Sequence, residues 1–63
     1  SSNIAVMRYS LLTATMQITF RSGAIYRYTN VGESIWLALI NAKSVGSVFN
    51  HLKKGLQAEK LDD

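Results

Sequence analysis

Sixty-three residues hold one domain, and a chain this short buries only about 60% of the surface its unfolded form exposes, so its core must be well filled. A content of 48% hydrophobic and 10% aromatic residues excludes a disordered peptide, and the lack of cysteine excludes disulfide staples and thiolate metal sites, leaving His51 as the sole imidazole. The net charge is +3, yet six of the seven cations and one acid, Glu33, fall in residues 1–58; this basic body favours polyanions or acidic protein surfaces as partners.

In chain order, Ile4 to Tyr9 has the composition of a strand with mixed parity. Ile4 and Val6 share one side and Met7 and Tyr9 the other, which a bulge near Ala5 or Val6 reconciles. Ser10 to Thr13 connects it onward and carries the apolar pair Leu11-Leu12. Thr15 to Phe20 alternates polar and apolar residues strictly, the period of a half-buried strand. Arg21-Ser22-Gly23 then turns the chain into a third strand, Ala24 to Thr29. A three-residue loop with Gly23 left-handed pairs Ile18 with Tyr26 and Met16 with Tyr28, placing both tyrosines on the apolar face; a two-residue turn would split the aromatic and apolar sets.

Asn30-Val31-Gly32-Glu33 reads as a capping box ahead of Ile35, Trp36, Leu39 and Ile40, so a first helix is expected to about Ala42, with Trp36 as a core anchor. Ser44 reads as the N-cap of a second helix with Val45, Val48, Phe49 and Leu52 inward, closed at Gly55 by a Schellman-type contact from Leu56. Residues 57–63 are expected to be a frayed acidic tail, outside a single domain spanning residues 1–56. The expected fold is therefore α+β, a three-stranded antiparallel sheet in the order β-β-β-α-α with both helices on one face.

The order of these landmarks (Ser2-Asn3-Ile4, Tyr9, the Met16/Ile18/Phe20 alternation, Gly23, Tyr26-Arg27-Tyr28, Val31-Gly32-Glu33, Ala42, Ser44, Gly46 and Phe49-Asn50) resembles the KTSC domain family over about residues 2–55. The chain departs from the family at Gly32, where a proline is usual, and at Ser10-Leu11-Leu12, where an Asp-Pro-type turn is usual. The resemblance implies a small domain of the kind found at the C-terminus of some lysyl-tRNA synthetases and as free-standing bacterial and phage proteins, a context that suggests RNA binding.

Four groups of residues are candidates for function. Tyr26-Arg27-Tyr28 offers rings that can stack on bases, although the register above buries the rings and leaves Arg27 on the open face. Lys43, Ser47, Asn50 and Lys54 line one stripe of the second helix with Lys53 beside them, a path for phosphates as well as an ordinary solvated face. Ser44, Gly46 and Ser47 form a helix start whose dipole favours an anion, without the spacing of a P-loop. Ser47 and His51 stand four apart but lack an orienting acid, so catalysis has little to use.

The expectation is a non-catalytic module without metal or cofactor. It binds RNA or another nucleic acid through Arg27, Lys43, Lys53, Lys54 and Arg21, with Ser44, Gly46 and Ser47 holding a phosphate. The alternative is a phage or host regulator that occupies an acidic protein surface. No apolar run reaches the roughly 18 residues of a membrane span and the first residues lack a signal pattern, so a cytoplasmic, membrane-free setting is expected; a start without Met is read as initiator removal or trimming.

Overall fold

The computed structural model describes residues 3–61. Strands β1 (Ile4–Ser10), β2 (Thr15–Phe20) and β3 (Ile25–Thr29) are followed by helices α1 (Glu33–Ile40) and α2 (Val45–Leu52), a 3₁₀ turn Lys53–Gly55, and a fourth strand, β4 (Gln57–Lys60). The sheet is antiparallel in the order β1-β2-β3-β4. Four strands replace the expected three, because the segment expected to fray returns along the free edge of β3 and pairs Thr29 with Gln57 through Tyr26 with Lys60. All four β4 residues are exposed, so backbone pairing rather than side-chain burial holds them. Asp62 and Asp63 of the expected tail lie outside the described residues.

The hairpin has the expected register, with Met16 opposite Tyr28 and Ile18 opposite Tyr26. The Phe20 amide donates to the Ala24 carbonyl at 2.8 Å and the Gly23 amide to the Phe20 carbonyl at 2.9 Å, with Gly23 at φ +101°. The β1 register shifts between Ile4 and Val6. This bulge turns Ile4 to the side of Met7 and Tyr9 and leaves Val6 on the opposite face, 43% exposed.

One sheet face meets both helices around Met16, Ile18, Tyr28, Val31, Leu39 and Phe49. Tyr26 and Tyr28 lie on this covered face, with ring centroids 6.4 Å apart. Phe49 meets Tyr28 edge to face at 5.5 Å, while Phe20 stands 5.9 Å from Phe49 and 5.7 Å from Tyr26, so four rings make one cluster. On the other flank Trp36 stacks on Tyr9 at 5.2 Å and stays half-buried, a partial lid rather than a fully buried anchor. The Tyr9 hydroxyl donates to the Val31 carbonyl at 2.7 Å and fastens the β3–α1 loop to the sheet.

Three local expectations are corrected. Asn30 adopts a left-handed backbone, φ +58°, and does not cap α1; Gly32 is the N-cap, so the capping box does not form. An Asn tolerates this conformation at a turn, a use that competes with capping. The Asn41 side chain and amide both donate to the Leu37 carbonyl, ending α1 before Ala42 and leaving Ile40 44% exposed. Gly55 has no positive φ, so α2 ends in the 3₁₀ turn, in which the Leu56 amide donates to the Lys53 carbonyl at 3.1 Å, and not in a Schellman motif.

Candidate polyanion-binding surface

Helix α2 packs through Val48, Phe49 and Leu52, and Phe49 also lines a cleft between the helix, the first residues of β1 and the end of β2. The cleft has a volume of about 430 Å³, with Ser44, Gly46, Ser47, Asn50 and Lys53 on the helix side and Asn3, Ile4 and Phe20 on the sheet side. Ser44 occupies the N-cap position, yet its side chain makes no capping hydrogen bond. The amide donors at the helix start therefore lack an intramolecular cap from the Ser44 side chain. Lys53 closes the far end, its Nζ 5.7 Å from the Phe49 ring centre, a cation–π contact that holds the charge close to the aromatic cluster.

A second cleft of about 410 Å³ adjoins the first, lined by Asn3, Phe20, Arg21, Ser22, Ala24 and Tyr26. Asn3 and Phe20 belong to both, so the clefts beside the β2–β3 turn and the α2 flank adjoin, with Arg21 lining one and Lys53 the other. Among the described residues neither cleft has an acidic lining residue. Asn3, Asn50 and Phe20 take part although no sequence motif marks them as a group; a helical step from Ser47 to Asn50 is the one signal that points to any of them.

The structure brings together Ser44, Gly46, Ser47 and Lys53, and sets Arg21 at the adjoining end. Lys43 and Lys54 are exposed but line neither cleft. Arg27 is on the opposite, helix-free face, where its Nη2 lies 2.7 Å from Glu59 Oε1. The acid expected to dangle in a tail instead neutralises the leading open-face cation, because β4 places residue 59 directly across from residue 27. Tyr26 is half-buried and flanks the second cleft, whereas Tyr28 is buried. Burial, and to a smaller extent the neighbouring Tyr26, raises the Tyr28 phenol above its ordinary value of 10.0. Ser47 and His51 are both exposed, and no hydrogen bond joins them. Among the described residues no three His, Cys, Asp or Glu side chains gather as a metal site, and no helix is long and apolar enough to cross a membrane.

An antiparallel four-stranded meander with two helices between β3 and β4, both on one face, defines a small two-layer α+β domain. The chain belongs to the KTSC domain family, whose model matches residues 1–55. It is 35% identical to an uncharacterized protein of Stutzerimonas stutzeri over 54 residues, 86% of this chain and 76% of the relative. The crystal structure of a KTSC domain protein from Yersinia pestis superposes with a TM-score of 0.89 at 28% identity, covering 98% of this chain and 90% of the other. The match to the family model ends before β4, but an alignment over 98% of the chain takes β4 in.

Proposed function

We propose that this domain is a non-catalytic module that binds nucleic acid, RNA foremost, along the channel from Arg21 across Asn3 and Phe20 to Lys53. The observation that supports this reading is a pair of adjoining clefts, one lined by Arg21 and the other by Lys53, with no acidic lining among the described residues. Ser44, Gly46 and Ser47 offer donors to a phosphate at the helix start, and Lys43 and Lys54 supply flanking charge. Phe20 and Tyr26 line the path and offer aromatic contacts to bases. Arg27 contributes less than the sequence alone suggests, because it lies on the opposite face and lines neither cleft.

The test is fluorescence anisotropy of short labelled RNA, single-stranded DNA and duplex DNA at two salt concentrations. The expected result is salt-sensitive RNA binding that an Arg21→Ala/Lys43→Ala/Lys53→Ala/Lys54→Ala variant loses, with each lost phosphate contact lowering the salt slope by about 1. Affinity unchanged in that variant sinks the reading. A protein partner with an acidic surface is the second reading, favoured by Leu11 and Leu12, 64% and 95% exposed beside β1. Under it, a stoichiometric complex survives nuclease and is lost in Leu11→Ser/Leu12→Ser.

A further inference from the structure

The helix-free face of the sheet is ordered in rows by the strand register. Arg8, Gln17, Arg27 and Glu59 stand side by side on successive strands, one pairing row across the sheet. Neighbouring strands lie about 4.8 Å apart, so the Arg8 and Arg27 backbones are roughly 10 Å apart with Gln17 between them, a span two guanidinium side chains can close around one ligand. Between them is a cleft of about 190 Å³, lined also by Ser10 and Thr15. Arg8 makes no ion pair among the described residues. Arg27 lines this cleft and a second one of about 260 Å³ on its other side, where Thr29, Gln57 and Glu59 lie.

The geometry points to a second anion site here, on the face opposite the RNA channel: a pocket for the dianionic head of a phosphate monoester held between Arg8 and Arg27, with Glu59 as the resident carboxylate that competes for Arg27. The donor set selects this chemistry. A carboxylate has two oxygens, which one guanidinium can satisfy with a pair of parallel bonds. Two guanidiniums, the Gln17 amide and the Ser10 hydroxyl, which otherwise only accepts from the Thr13 amide, offer donors in several directions and suit a tetrahedral anion with three terminal oxygens. The volume falls below the roughly 300–1,000 Å³ usual for whole drug-sized ligands, so the pocket takes the phosphate head and leaves the rest of the ester over the open face. The Arg27–Glu59 pair does not bar entry, because its side chains are 46% and 62% exposed and solvent-exposed ion pairs are weak.

The experiment is a titration of the whole chain with inorganic phosphate near neutral to mildly alkaline pH, followed by amide chemical shifts in nitrogen-15 spectra, with dimethyl phosphate as the singly charged diester. The expected result is saturable shifts at Arg8, Gln17 and Arg27, weakened about tenfold by Arg8→Ala or Arg27→Ala and strengthened up to about fivefold by Glu59→Gln. Dimethyl phosphate is expected to bind at least about tenfold more weakly. Shifts confined to Ser44, Gly46, Ser47 and Lys53, equal binding of the diester, or phosphate affinity unchanged in both arginine variants overturns the site. An Arg21→Ala/Lys53→Ala variant, which disables the channel of the other face, is expected to bind phosphate here as the unaltered chain does, so the two readings fail separately.

Discussion

The two faces of the sheet are built from the same strands and obey different physics. On the covered face, Met16, Ile18, Tyr28 and Phe49 are packed with almost no exposure, and aromatic edges meet faces at distances that add to their burial energy. On the open face the same strands present Arg8, Gln17, Arg27 and hydroxyl residues, whose interactions are exposed and individually weak. The comparison teaches that stability resides on one side, so the other is free to carry chemistry that folding does not depend on.

The largest expected effect breaks the covered side. Phe49→Ala removes the ring on which Phe20, Tyr28 and Lys53 converge and is expected to cost about 3–5 kcal/mol in denaturant unfolding. At roughly 0.05–0.15 kcal/mol per residue, a domain this size has about 3–9 kcal/mol in all, so the variant is expected to lose a large share of its stability. A variant as stable as the unaltered chain contradicts the placement of the core.

Gly23→Ala tests the turn that assigns the two faces. At φ +101° an added Cβ meets no neighbour within 4 Å, so the penalty is that of the backbone conformation itself, about 1–2 kcal/mol in the same assay. A loss beyond that range indicates that the register, and with it the burial of both tyrosines, has slipped.

The smallest effect sharpens the comparison by pH. The folded chain holds the Tyr28 proton more tightly than the unfolded chain does, so below about pH 10 both states are protonated and the contribution is fully present. As pH rises through and beyond that value, the unfolded chain ionises first and stability falls. Tyr28→Phe is expected to reduce this alkaline loss, measured as the change in unfolding free energy between about pH 9 and pH 11. An identical slope in the variant assigns the loss to other groups.

What the candidate surface shows and what the residues announce differ in kind. Ser44, Gly46 and Ser47 are neighbours in the chain, so their meeting at one helix start is local and readable. Arg21 and Lys53 are 32 residues apart and line adjoining clefts only because α2 packs against the ends of β1 and β2. Arg27 and Glu59 are equally distant in the chain, and their pairing depends on a strand with no apolar period to reveal it.

By itself the sequence determined the hairpin register, the bulge in β1, the two helices and the covered side of the tyrosines, because each follows from a short period or a turn residue whose energetics are local. The resemblance to the KTSC family was likewise legible in the order of those landmarks. Only the tertiary structure decided the fourth strand, the left-handed Asn30, the half-exposure of Trp36 and the neutralisation of Arg27. Gln57 to Lys60 bury no side chain and gain their place from backbone groups offered by the free edge of β3, a partner that exists only after the rest of the sheet has formed.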